Sequence, residues 1–99
     1  MLLTVDVGNT NTLFGLFDAV ATEPSVTVRA SSRRDRMPDE WYAILEPGLR
    51  RQGASPADID GMIISSVVPG VTEWLREMGD TLLAVETLVA RSTAQLGID

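Results

Sequence analysis

The chain has 99 residues, 44% of them hydrophobic and 22% charged, a composition typical of one small globular domain. It contains no Cys, His or Lys, which excludes thiolate and imidazole catalysis, Cys/His zinc sites, disulfides, Schiff bases and a lysine-bearing Walker loop. The net charge of −6 argues against nucleic acid as a partner. No basic leader and no apolar run of ~20 residues is found, so a cytoplasmic protein without a membrane partner is expected.

Five strands and two helices are predicted in the order βββαβαβ. The predicted strands span 2–7, 12–17, 25–30, 62–68 and 83–89, and the predicted helices span 38–53 and 71–79. Pro47 lacks an N–H and its ring crowds the carbonyl of Ala43, which predicts a kink or a break near Glu46. Gly79 is expected to end the second helix. A hairpin meander followed by strand–helix–strand crossovers predicts an α/β fold with a mixed sheet.

The only dense polar cluster at a predicted strand end is the turn Asp6-Val7-Gly8-Asn9-Thr10-Asn11. For a nucleotide phosphate, Gly8 would allow close approach, and the amides of 8–10 and the Thr10 hydroxyl would donate hydrogen bonds. A carboxylate beside a polyphosphate is repulsive without a metal, so the pattern implies that Asp6 holds Mg²⁺ directly or through water. The same residues also fit a plain tight hairpin in which Asp6 accepts hydrogen bonds from turn amides. Spacing alone leaves both interpretations open.

The segment Met1–Thr12, with the sequence MLLTVDVGNTNT, closely resembles the amino terminus of type III pantothenate kinases. These enzymes belong to the actin-like and sugar-kinase ATPase superfamily, whose fold is ribonuclease H-like. The similarity continues, with few interruptions, to about Val89. Three further stretches carry it: Arg29–Ser32 with Asp39–Trp41, Ile59–Pro69 with its Ser-Ser-Val-Val-Pro end, and Val71–Glu77.

The resemblance implies a loop that binds the phosphates of ATP, with Asp6 near Mg²⁺. The residues assigned to that loop are Asp6, Val7, Gly8, Asn9, Thr10, Asn11, Thr12 and Leu13. It further implies transfer of the γ-phosphoryl group to pantothenate, giving 4'-phosphopantothenate, the first step towards coenzyme A. Members of the family are dimers and are helped by a monovalent cation, K⁺ or NH₄⁺.

The resemblance weakens towards Asp99. Where the family has a glycine-rich loop facing pantothenate, this chain has Ala90–Gly97, a poor match, and no Gly-Ala-Asp-Arg segment with its general base follows. Residues 1–99 are therefore expected to form a single N-terminal nucleotide-binding domain, without a catalytic residue of its own and without the second domain. The alternative is a non-catalytic dimerising or regulatory remnant of the same fold. A sugar-kinase relative is a third interpretation, but it does not explain Ser-Ser-Val-Val-Pro.

The other polar and aromatic groups receive structural interpretations. Ser65 and Ser66, at the end of a central strand, are expected to shape a cleft, since no base lies near them in sequence. Trp41 and Trp74 are expected to pack in the core. A solvent-exposed position is predicted for the arginines Arg29, Arg33, Arg34 and Arg36 and for the carboxylates Asp58, Asp60, Glu73 and Glu77.

Overall fold

The computed structural model describes residues 1–90, in which one sheet is covered on a single face by two helices. The strands are β1 (Leu2–Val7), β2 (Asn11–Phe17), β3 (Val26–Ser31), β4 (Gly61–Ser66) and β5 (Glu86–Ala90). The helices are α1 (Pro38–Arg51) and α2 (Pro69–Glu77), with a 3-10 turn at Pro56–Asp58 and a π-helical turn at Met78–Leu82. The predicted order βββαβαβ is confirmed. The expected mismatch over Ala90–Gly97 lies, apart from Ala90, outside the described residues.

The five strands lie in the spatial order β3-β2-β1-β4-β5. β1, β2 and β3 pair antiparallel in a meander, whereas β4 pairs parallel with β1 and β5 pairs parallel with β4. The sheet is therefore mixed, as predicted, and β1 is its central strand. This α/β architecture is consistent with the ribonuclease H-like fold that the resemblance implies.

One face of the sheet packs against both helices and forms the core. Its strand residues alternate along each strand, as the twofold period of a half-covered sheet requires. On α1 the buried side chains recur at helical spacing, and the rings of Trp41 and Phe14 meet edge to face with centroids 6.1 Å apart. The fully buried side chains of the core include Leu3, Val5, Val7, Phe14, Leu16, Trp41, Leu45, Leu49, Met62, Ile64, Leu75 and Met78.

No helix within residues 1–90 covers the opposite face, which we call the open face. We define it by the exposed or half-buried residues Leu2, Thr4, Asp6, Leu13, Ile63, Ser65 and Leu88. Its large apolar members are Leu2, Leu13, Ile63 and Leu88, of which Leu88 is 55% exposed. The polar residues Asp6 and Ser65 lie at the edge where the parallel strands β1 and β4 end. Within the described residues, no helix is long and apolar enough to cross a membrane.

The expected break of the first helix near Glu46 is wrong, because α1 runs without interruption through Pro47 for 14 residues. Proline at this position leaves the carbonyl of Ala43 without its helical donor. Ala43 is exposed, so water can satisfy that carbonyl. The following turn is held in place by Leu49, which is buried against the core. Past the end of α1, Gly53 adopts a φ of +82°, the left-handed conformation that ends a helix.

Gly79 does not end the second helix, contrary to the sequence-based prediction. The chain continues past α2 through the π-helical turn, and β5 begins at Glu86 rather than at Leu83. A Cβ at Gly79 would lie 2.7 Å from Cε of Met62 and would overlap the hydroxyl of Thr87. The glycine is therefore required for the close approach of the π-helical turn to the sheet.

A similar close contact joins α1 to β3. A Cβ at Gly48 would lie 2.6 Å and 2.8 Å from the two γ-carbons of Val28, a stiff β-branched side chain. We expect Gly48→Ala to lower the free energy of unfolding by about 1–3 kcal/mol, because overpacking outweighs the better helix propensity of alanine. Urea denaturation of the chain measures this change.

The control is Gly70→Ala in α2, where an added Cβ meets nothing within 4 Å. That variant should be neutral or slightly more stable. Replacing Val28 by alanine should remove most of the penalty of Gly48→Ala in a double-mutant cycle. Equal stabilities of Gly48→Ala and the wild-type chain would contradict the proposed overpacking.

Candidate functional site

The candidate site is the hairpin turn between β1 and β2, at the end of the central strand. Residues 8–10 connect the two strands, and the amide of Gly8 donates to the carbonyl of Asn11 at 2.8 Å. The sequence predicts that the amides of residues 8–10 bind an anion, but the Gly8 amide is already used within the turn. Among residues 1–90, the amides of Asn9 and Thr10 have no acceptor. Two backbone donors, rather than three, are therefore available at the tip.

The tip of the hairpin is held from one side by the segment that follows β3. The carbonyl of Thr10 accepts a hydrogen bond from the amide of Ser32 at 2.9 Å. The hydroxyls of Thr12 and Ser32 also share a hydrogen bond of 2.8 Å, and Thr12 is fully buried. The turn is thus fixed relative to the sheet by contacts that local sequence spacing does not reveal.

The strand alternation separates the eight predicted site residues into three groups. Val7 and Thr12 are buried on the face that packs against the helices. Asp6 and Leu13, which are register partners, lie on the open face. The turn and its end comprise Gly8, Asn9, Thr10 and Asn11, of which Gly8 is half-buried and the others are exposed. A ligand approaching the open edge would therefore meet Asp6 and the tip, but not the side chains of Val7 and Thr12.

Asp6 is an exposed carboxylate between Leu13 of β2 and Ser65 of β4. The ion pairs found within residues 1–90 do not involve it. No group of three or more Asp, Glu, His or Cys side chains within that range could enclose a metal ion. Mg²⁺ is commonly held by one or two carboxylates together with substrate phosphates and water. The single carboxylate at Asp6 fits that kind of site, and does not fit a metal held by protein ligands alone.

The structure places the two serines at the end of β4 on opposite faces of the sheet. Ser65 is exposed on the open face as the register partner of Asp6. Ser66 is half-buried, and its hydroxyl accepts from the amide of Val68 at 2.9 Å and is 3.1 Å from the Val68 carbonyl. The two serines have the same predicted role. Strand alternation from the buried Met62 and Ile64 is the signal that would have distinguished them.

The arginines between β3 and α1 are largely engaged with their own segment. Arg33 forms an ion pair of 3.0 Å with Asp35, and its hydrogen bonds hold the pKa of that carboxyl below the usual value. The guanidinium of Arg36 donates to the carbonyl and hydroxyl of Ser31 and lies 5.1 Å from the ring centroid of Trp41. These contacts stabilise the segment that supports the hairpin tip.

Asp58, Asp60, Glu73 and Glu77 are exposed, as expected, and three of them have partners within the described residues. Asp58 accepts from the amide of Ser55, and Asp60 pairs with the amino-terminal ammonium at 2.5 Å. Glu73 lies 4.0 Å from Arg76. These contacts do not indicate a second binding or catalytic site.

Comparison with known proteins identifies the family of this chain. Residues 2–99 match the sequence profile of the family described as type III pantothenate kinase. Relatives bearing that name are 38% identical over 98 residues in Thermomicrobium roseum, 38% over 99 residues in Caulobacter vibrioides and 40% over 98 residues in Phenylobacterium zucineum. These alignments cover 99%, 100% and 99% of this chain, respectively, and 37% of each relative.

The chain thus spans little more than a third of the length of these relatives, and the match includes both the hairpin turn and the Ser-Ser-Val-Val-Pro segment. Family membership follows from the profile match over nearly all of the chain. On this basis, and with the mixed sheet and exposed hairpin site described above, the chain belongs to the type III pantothenate kinase family.

Proposed function

We propose that this chain supplies the first phosphate-binding loop for ATP-dependent phosphorylation of pantothenate to 4'-phosphopantothenate. The observation that carries the proposal is the exposed Asp6 carboxylate beside a hydrogen-bonded hairpin tip whose Asn9 and Thr10 amides lack acceptors within residues 1–90. These groups lie where parallel strands end, the usual ligand-binding edge of an α/β sheet. Membership of the family supports the choice of reaction.

The chemistry of the tip is that of an anion-binding turn. The amides of Asn9 and Thr10 would donate to phosphate oxygens, and the Thr10 hydroxyl would add a third donor. The turn is already ordered by the hydrogen bonds of Gly8 to Asn11 and of Ser32 to Thr10. Binding therefore costs little additional loop ordering, which preserves affinity.

The charge of the site requires a cation with the nucleotide. Asp6 would hold Mg²⁺, directly or through water, and the bound ion would offset the repulsion between the carboxylate and the phosphates. The contribution of this chain is then positioning of the triphosphate and stabilisation of charge, which supply most of the rate in phosphoryl transfer. We assign no general base to this chain.

Family membership also supports proposals on the oligomeric state, the substrates and the location of the active protein. We propose that residues 1–99 form one nucleotide-binding domain, that the active protein is a homodimer, and that pantothenate and ATP are its small-molecule partners. Use of a monovalent cation, K⁺ or NH₄⁺, and a cytoplasmic location complete the proposal. All of these rest on family membership.

A titration of the isotopically labelled chain with Mg-ATP tests the nucleotide site by amide NMR. We expect the largest shifts at Asn9 and Thr10, and smaller ones at Gly8, because its amide keeps its bond to Asn11. Asp6→Asn should weaken Mg-ATP binding about tenfold or more, since the carboxylate is the metal-binding group. The matched control is Asp80→Asn, which removes the same charge from an exposed residue of the π-helical turn.

Two results would contradict the proposal. One is a dispersed spectrum that does not respond to Mg-ATP, which together with self-association would favour the non-catalytic dimerising remnant. The other is equal affinity of Asp6→Asn and the wild-type chain, which would remove Asp6 from the site.

The buried hydrogen bond behind the loop generates a separate prediction. Thr12→Val keeps the shape of the side chain but leaves the Ser32 hydroxyl without its partner, so the free energy of unfolding should fall by about 1–2 kcal/mol. Mg-ATP affinity should fall as well, because the tip loses one of its two anchors. Thr12→Ser retains the hydroxyl and should retain most of the affinity. Urea denaturation and the same titration measure both effects, and an unchanged affinity for Thr12→Val would contradict the anchoring role.

A further inference from the structure

We propose that Ser65 contacts the bound nucleotide directly, donating its hydroxyl proton to a phosphate oxygen. This assignment rests on the function proposed for Asp6 and the hairpin tip. β1 and β4 are parallel, and Ser65 is the register partner of Asp6. Neighbouring strands are about 4.8 Å apart, so the two side chains stand next to each other on the open face.

The hydroxyl of Ser65 is available for a ligand. The side chain is exposed, and within residues 1–90 the hydroxyl makes no hydrogen bond. Ser66, one residue later, differs because its hydroxyl is occupied by the backbone of Val68. The pair therefore offers one free hydroxyl and one structural hydroxyl at the same strand end.

The pattern along the two strands also singles out this position. Successive register pairs on the open face are Leu2 with Gly61, Thr4 with Ile63, and Asp6 with Ser65. In β4 the open-face residue before Ser65 is therefore an isoleucine, a residue type that packs well on a sheet surface. The change to serine occurs at the row of Asp6, where β1 and β4 end and ligands of such sheets bind.

A serine hydroxyl suits this place for electrostatic reasons. It can donate to a phosphate oxygen without adding charge beside Asp6, and its lone pairs remain able to accept from water. Leu13 lies on the other side of Asp6 and cannot donate from its side chain. Of the two register partners of Asp6, Leu13 in β2 and Ser65 in β4, only Ser65 has a side chain that can donate a hydrogen bond.

The test compares Ser65→Ala with Ser66→Ala in the full 99-residue chain, using Mg-ATP titration and urea denaturation. Ser65→Ala should raise the Kd for Mg-ATP about tenfold, the loss expected for one hydrogen bond to a charged group, and leave the urea midpoint unchanged. Ser65→Thr keeps the hydroxyl and suits a strand, so it should restore most of the affinity. Ser66→Ala should lower the urea midpoint and leave the Kd near the wild-type value.

The outcomes separate this inference from the proposed function. If Asp6→Asn weakens binding but Ser65→Ala binds as the wild type does, the contact to Ser65 is overturned and the nucleotide site stands. If Ser65→Ala weakens binding only in proportion to a lowered urea midpoint, the residue is structural and the inference is overturned. If the wild-type chain shows no response to Mg-ATP, the proposed function is overturned and the contact to Ser65 with it.

Discussion

The alternation of β1 is the constraint on which the fold and the candidate site both depend. Leu3, Val5 and Val7 are buried against the helices, and this directs the intervening Asp6 to the open face. A register shift of one residue would exchange the faces and place a carboxylate in the core, where an unpaired charge is strongly destabilising. Because β1 is paired on both sides, its neighbours maintain that register from two directions. The free energy of core packing therefore also fixes the position of the Asp6 carboxylate.

Strand and helix order could be predicted from the sequence because they depend on local periodicity and on turn residues. The two errors, at Pro47 and Gly79, have a common physical origin. Local rules predict that proline interrupts a helix and glycine ends one, yet at each place contacts from distant residues decide the outcome. The buried residues beyond Pro47 keep α1 intact, and Gly79 is needed because Thr87 and Met62 lie too close for a Cβ. Contacts between residues far apart in sequence depend on tertiary packing, which local sequence patterns do not predict.

The sequence motif indicates where the candidate site lies, but it does not predict the role of each residue. Eight consecutive residues look equivalent in the motif, whereas the sheet directs them to different places, with Thr12 buried and Asp6 exposed. The Gly8 amide, one of the three amides predicted to bind an anion, donates instead within the turn to the carbonyl of Asn11. Alternation could have predicted the face of Thr12, but not its partner Ser32, which lies 20 residues away. Ser65 became visible as a neighbour of Asp6 only when the parallel register of β1 and β4 was known.

The proposed function requires a chain with a net charge of −6 to bind a polyphosphate. Backbone amides and hydroxyls attract an anion through dipoles, so they need no positive net charge in the surrounding protein. Two arginines of the segment that holds the tip are used within that segment, where Arg33 pairs with Asp35 and Arg36 holds Ser31. Arg29 lies exposed in the row of Asp6, as the register partner of Leu13. In the proposed site, Mg²⁺ held by Asp6 would neutralise charge, while the amides and hydroxyls of the protein would orient the phosphates. With such a cation, one exposed carboxylate would aid the binding of an anion that it would otherwise repel.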